Sequence, residues 1–186
     1  AKVVALRSQA LGVLAGRGGM VSVALPHDRL TDLLADRPGL SIAAVNAPSA
    51  AVVSGDPDAL AALLTDCAAE GVRARRIDVD YASHSAHVEE IRAALLEALA
   101  GLRPTAAQVP LYSTVEGGGW LDTATMDAEY WYRNLRATVA FAPAVRALAE
   151  SGYTGFIEVG PHPVLTMGIE ETVQETRELL ELAKPD

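Results

Sequence analysis

Met20-Val21-Ser22-Val23-Ala24-Leu25 carries its apolar residues at Met20, Val21, Val23 and Leu25, the mark of a short β-strand. Asp28 to Leu34 follows with helical spacing and ends before Pro38-Gly39, a pair that breaks helices. Leu40–Asn46 and Ala50–Ser54 then read as two strands joined by Ala47-Pro48-Ser49. Asp56-Pro57 marks the next helix: aspartate is a favoured N-cap and proline a favoured first helical residue. That helix runs to Gly71, with Leu60, Leu63, Leu64 and Cys67 on one face. Val72–Val79 supplies a last strand. The order is β-α-β-β-α-β, the split-βαβ arrangement.

This order predicts a ferredoxin-like subdomain over residues 17–79. On its N-terminal side, Val3, Val4, Leu6, Ala10, Leu11 and Leu14 have the spacing of an amphipathic helix, stopped by Gly16-Arg17-Gly18-Gly19. The helix shows no cap residue, so it is expected to begin upstream of Ala1. On the C-terminal side, Tyr81-Ala82-Ser83-His84-Ser85-Ala86-His87 precedes a helix from about Val88 to Leu102. Val109–Val115 reads as a strand, Glu116–Trp120 as a turn, and Glu129–Ser151 as helix with a break or new start at Pro143. Gly155–Val159 reads as a strand, Pro161-His162-Pro163 leads into a short helix, and residues 172–186 form a charged tail, helical or linker. Strands and helices alternate as in α/β layers. The expected organisation is an incomplete large subdomain (residues 1–16 and 80–171) interrupted by the small one. The large part holds too few strands for a closed sheet, so further strands are expected from before Ala1 or from another chain.

The composition narrows the function. Half of the 186 residues are hydrophobic and 21% are charged, a globular balance. Acidic residues outnumber basic ones 24 to 15, giving a net charge of −9, which repels phosphate backbones and argues against a nucleic-acid partner. No apolar run approaches the roughly 20 residues that span a bilayer, and no signal peptide is apparent. The single cysteine, Cys67, has no internal partner, which fits a reducing cytoplasm.

His84 is the sharpest chemical candidate. It lies between a strand and a helix, where chemistry is commonly presented, and histidine can accept and return a proton near neutral pH. A surface loop histidine is the bland alternative. His84 and His87 are three residues apart, but His27, His162 and Cys67 add no third or fourth ligand, so no metal site is expected. Ser83 and Ser85 adjoin His84 too closely to act as its nucleophile, and no G-x-S-x-G elbow occurs in the chain. Cys67 is more simply a core residue. Arg7 is either a solvated arginine on the first helix or a planar fork that grips a carboxylate.

Several runs together resemble one family. They are Lys2 to Leu11, Gly19-Met20, Asn46-Ala47-Pro48, Val53-Ser54-Gly55, Tyr81 to Ser85, Tyr130-Trp131-Tyr132-Arg133-Asn134-Leu135-Arg136 and Glu158-Val159-Gly160-Pro161-His162-Pro163-Val164-Leu165. In this order they resemble the acyltransferase domains of modular polyketide synthases, relatives of malonyl-CoA:acyl-carrier-protein transacylases. The resemblance implies an α/β-hydrolase-like large subdomain with an inserted ferredoxin-like one. It implies ping-pong acyl transfer through a serine in a G-H-S-x-G elbow, from acyl-CoA to the phosphopantetheine thiol of an acyl carrier protein. No bound cofactor is implied.

Residue by residue, His84 falls on the general base and Arg7 on the arginine that binds the carboxylate of a malonyl-type unit. Asn134 falls where a backbone carbonyl orients the histidine. Tyr81-Ala82-Ser83-His84 resembles the signature of methylmalonyl-selective domains. Serine at 83 in place of phenylalanine leaves room for the branch methyl, and Tyr81 belongs to the same substrate-binding segment. The serine elbow and an oxyanion-hole glutamine are expected upstream of Ala1, so the chain alone is expected to be inactive and prone to associate. The implied partners are the carrier protein, the ketosynthase and linker of the same synthase, and the N-terminal part of the domain. The alternative functions are a non-catalytic docking module, which needs neither Arg7 nor His84, and a serine-hydrolase fragment, against which Arg7 argues.

Overall fold

A computed structural model describes residues 1–115 and 118–182. The chain begins with helix α1 (Lys2–Leu11), extended by one 3₁₀ turn to Leu14. Strand β1 (Gly19–Val23), helix α2 (His27–Leu34), strands β2 (Leu40–Ala47) and β3 (Ala50–Gly55), helix α3 (Pro57–Ala69) and strand β4 (Ala74–Ile77) follow. The four strands form one antiparallel sheet in the order β2-β3-β1-β4. β1 is central because both helical crossovers return to it: Val21 stands opposite Val53 on one side and Arg76 on the other. This is the ferredoxin-like order that the sequence pattern predicts.

The period of two in β1 divides the sheet into two faces. Val21 and Val23 are fully buried against Leu30 of α2 and Leu60, Leu63 and Cys67 of α3. Met20 and Ser22 point to the opposite face, and Met20 joins Ala43, Ala44, Val52 and Val139 in a small second cluster. Cys67 is therefore a core residue, and burial raises its thiol pKa further from reactivity.

The remaining elements are helix α4 (Arg92–Leu99), preceded by a 3₁₀ segment over Ala86–Ile91; strands β5 (Leu111–Ser113) and β6 (Gly119–Leu121); and helices α5 (Ala128–Arg136), α6 (Phe141–Glu150) and α7 (Thr166–Leu182). A third core fills the space between α1, α4 and α5, built from Leu11, Leu14, Val88, Ile91, Leu95, Leu99 and Leu135. Among the α1 residues expected on the apolar face, Val4 instead stays largely exposed.

Three sequence expectations change here, and one left open is decided. The helix expected over 129–151 is two helices, and the break falls at residues 137–140 rather than at Pro143. Pro143 sits in the first turn of α6, where its missing N–H has no intrahelical partner to lose. Residues 155–159 join no ladder among the described residues, because a strand needs a neighbouring strand to bond. Gly119, expected in a turn, begins β6, which pairs with β5 as a hairpin; Glu116 and Gly117 lie outside the described residues. Of the two readings of the tail from Thr172, the structure has the helix: α7 continues as far as Leu182, with Thr172 and Thr176 buried against the body; residues 183–186 lie outside the described residues.

Residues 137–140 splice the two bodies. Val139 N–H donates to Ala43 O and Val45 N–H donates to Val139 O, both at 2.9 Å, so Val139 pairs with β2. On its other side it bridges to Val115, and Ala140 N–H donates to Thr114 O at 2.8 Å. Thr138 Oγ1 donates to Ile42 O at 2.7 Å.

Candidate functional site

The segment Tyr81–Ser85 crosses the junction of α1, β1 and α5. Gly18 permits the crossing. A Cβ added there would stand 2.7 Å from both the Cβ and the backbone nitrogen of Ala82, closer than side chains tolerate. Ala82 is fully buried in consequence. Ser85 closes the segment: its Oγ donates to Ala82 O at 2.8 Å and accepts from His87 N–H at 3.2 Å, capping the 3₁₀ segment that follows. That segment is tied outward by exposed pairs: Glu90 to Arg17 at 2.7 Å, Glu89 to Arg136 at 2.8 Å, and His87 Nε2 to Asp56 at 2.8 Å. Each such pair adds about 1 kcal/mol or less, but together they fix the direction in which the loop leaves. The Asp56 carboxylate makes no cap hydrogen bond to α3, contrary to the sequence expectation, because His87 engages it.

His84 adopts φ 58°, the only non-glycine residue with positive φ among those described. For a residue with a Cβ this region is unfavourable, and such strain persists only where surroundings enforce it. The enforcing contacts both come from the end of α5. His84 N–H donates to Leu135 O at 2.9 Å, and the ring Nδ1 lies 2.7 Å from Ala137 O. A carbonyl can only accept, so Nδ1 carries the proton and Nε2 keeps its lone pair. Burial lowers the imidazole pKa below its ordinary value; the bond to Ala137 opposes this and the Arg7 charge adds to it. His84 is thus a neutral imidazole with one oriented, basic nitrogen.

Asn134 has a different contact from the one the resemblance implies. The carbonyl that orients His84 belongs to Ala137, three residues further on. The reason is geometric: α5 ends at Arg136, and Ala137, extended at φ −80° and ψ 157°, is the first residue whose carbonyl leaves the helix direction. The Asn134 side chain accepts instead, at 3.0 Å, from Arg7 Nη1 on α1. Ser83 is nearly buried, and its hydroxyl donates to Met20 Sδ at 3.6 Å. Tyr81 packs on the core between α1, α4 and α5.

Arg7, His84 and Asn134 therefore gather at the end of α5, while Ser83, beside His84 in the chain, faces Met20 and Tyr81 packs on the helical core. Ala137, Ser85 and Met20 complete the site and were not anticipated. Ser85 carried a legible signal, a cap residue before an apolar turn; a backbone carbonyl such as that of Ala137 has none. His162 lies elsewhere, on the wall of an apolar cavity of about 630 Å³ lined also by Tyr112, Phe141, Val145, Phe156 and Ile157. Among the described residues no group of three or more His, Cys, Asp or Glu gathers to hold a metal, and no helix is long and apolar enough to cross a membrane.

Comparison with known proteins bears on the whole chain. The family model described as "Acyl transferase domain" matches residues 1–185. Polyketide synthase GfsE of Streptomyces halstedii is 58% identical over 177 residues, covering 94% of this chain and 5% of that protein. Pikromycin polyketide synthase component PikAII of Streptomyces venezuelae is 56% identical over 175 residues, 93% of this chain and 5% of that protein. Among solved structures, the acyltransferase domain from module 8 of the salinomycin polyketide synthase superimposes with TM-score 0.92 at 51% identity, covering 95% of this chain and 42% of that one. The chain spans about 5% of the length of these curated relatives.

Proposed function

Because the chain belongs to the acyl transferase domain family, we propose that it supplies the base and the carboxylate-binding arm for transfer of a methylmalonyl unit from CoA to a carrier-protein thiol. The observation that carries this reading is His84, strained at φ 58° and held by Nδ1 on Ala137 O, with the Arg7 charge close enough to depress its pKa.

The nucleophilic serine comes from residues outside this sequence. His84 Nε2 takes its proton as the serine oxygen attacks the thioester carbonyl, and returns it to the departing CoA sulfur. In the second half-reaction Nε2 takes the proton of the phosphopantetheine thiol, which attacks the seryl ester, and returns it to the serine oxygen. Arg7 anchors the free carboxylate of the acyl unit, its fork suited to bidentate contact. Ser83, small and held against Met20, leaves space for the branch methyl. One methyl in an apolar pocket discriminates by about 1–3 kcal/mol. In this reading the chain works in a cytoplasmic synthase beside a ketosynthase and a carrier protein, and alone it is inactive. The exposed Ile157 and Val159, 90% and 95% accessible, support a further layer of the domain covering that face.

The test is acyl loading by intact mass, with this chain joined to the serine-bearing segment and offered malonyl-CoA and methylmalonyl-CoA. A methylmalonyl adduct that disappears in His84→Ala, a loss of about 10²–10⁴ in rate, and shifts toward malonyl in Ser83→Phe is the expected result. A malonyl-only adduct removes the selectivity. No adduct from a folded complex overturns the enzyme reading in favour of a docking module.

A further inference from the structure

The arginines of this chain divide by what they touch. Arg17, Arg37, Arg92, Arg136 and Arg146 each close on a carboxylate, of Glu90, Asp66, Glu129, Glu89 and Glu175 respectively. Arg76 and Arg103 donate instead to backbone carbonyls at exposed positions. Arg7 differs from both groups. Its side-chain partner is the neutral amide oxygen of Asn134, 3.0 Å away and 127 positions along the chain, in a part-buried setting. A carboxylate acceptor would hold the guanidinium equally well but would cancel its charge. An amide oxygen orients it and leaves the charge available.

Asn134 also lies within the short run that holds the base. Leu135 O takes the His84 N–H, and Ala137 O takes Nδ1–H. The end of α5 therefore sets the arginine and the histidine against one rigid reference, by a side chain in the first case and by carbonyls in the second.

We propose that Asn134 is a positioning residue. Its side-chain amide aims the Arg7 guanidinium without neutralising it, so that the remaining N–H donors of the fork receive the carboxylate of the acyl-CoA. This rests on the carboxylate role of Arg7 given above, and it differs from a backbone role, which no substitution at 134 would test.

The experiment uses a complete acyl transferase domain carrying this sequence. It measures KM and kcat for methylmalonyl-CoA, and the inhibition constant of propionyl-CoA, the same acyl group without its carboxylate. Asn134→Ala is expected to raise KM for methylmalonyl-CoA about tenfold, the loss of one charge-assisted hydrogen bond. The propionyl-CoA constant and the pH profile of kcat stay unchanged. Asn134→Asp keeps the shape and the hydrogen bond but sets an anion against Arg7, so KM rises further than in the alanine variant. A purely structural role predicts the reverse: the aspartate isostere rescues KM, or alanine weakens both ligands equally, and either result overturns the proposal. Arg7→Ala separates the two levels. If it removes the preference for the carboxylated ligand while Asn134→Ala and Asn134→Asp do not, only the positioning inference falls. If it leaves the preference intact, the carboxylate role of Arg7 falls and the inference with it.

Discussion

Two irregular segments of this molecule lead into helices, and they are held in opposite ways. Residues 81–91 are fixed by the end of α5, by β1 through Met20, by Arg17 and by Asp56 of the small subdomain. In residues 153–165 the side-chain hydrogen bonds converge on one carboxylate. Glu158 accepts N–H bonds from Val164, Leu165 and Thr166 and the Thr166 hydroxyl, at 2.9–3.2 Å, and so closes the start of α7. Around it Ile157, Val159, Val164 and Met167 stay in water. The first segment carries its order within this chain. The second leaves an apolar face exposed. A chemically active residue needs the first kind of support, because a base displaced by an ångström loses much of its effect.

The largest effect is expected where the supported segment is tightest. Gly18→Ala drives a methyl into Ala82, which cannot retreat without moving Ser83 and His84. A loss of about 1–3 kcal/mol in denaturant unfolding is expected, with a fall in acyl transfer beyond what the lost stability explains. Normal stability and normal transfer would show that the segment is looser than its contacts indicate.

A smaller effect follows from His84 itself. Its pKa in the folded state lies below its unfolded value of about 6.5, because burial disfavours the cation. As pH falls, the unfolded chain takes this proton first. The stability due to the neutral imidazole is present above about pH 6.5 and is lost as pH falls through the folded value. Transfer by the complete domain should persist below the ordinary histidine range and fall when Nε2 is protonated. His84→Gln should flatten that part of the stability curve, measured as denaturant midpoint against pH.

The smallest effect belongs to the other segment. The N–H bonds from Val164 and its neighbours, with the Thr166 hydroxyl, hold the Glu158 carboxyl below the usual carboxylate range. Glu158→Gln should speed hydrogen exchange at the amides of Val164, Leu165 and Thr166 while exchange at Val21 and Val53 is unchanged. Equal acceleration at both places would mean that the two segments unfold together, and the contrast between them would disappear.

What was legible in the sequence follows the same division. The β-α-β-β-α-β order was legible because each element ends on its own punctuation: Pro38-Gly39, Ala47-Pro48-Ser49, Asp56-Pro57 and Gly71. The break at 137–140 was not, because Ala137-Thr138-Val139-Ala140 contains no breaker and is extended by its bonds to Ile42, Ala43 and Val45 of β2, far away in the sequence. Pro143 drew the boundary to itself because a proline in a first turn and one in a helix interior look alike in sequence. The site residues His84, Arg7 and Ser83 were legible as side chains with a spacing. Asn134 directed attention to the right helix end, but the atom that orients the histidine is a backbone oxygen of an alanine, for which residue identity carries no information.

The double pairing of Val139 has a consequence for anyone who grafts the small sheet of a relative onto this chain. A seam cut at residues 17 and 79 would leave β2 facing an extended segment it had not been matched to, with Ala137 two residues from the misfit. The transplant unit is discontinuous: the small sheet travels with residues 137–140, or the imidazole is retuned by the graft.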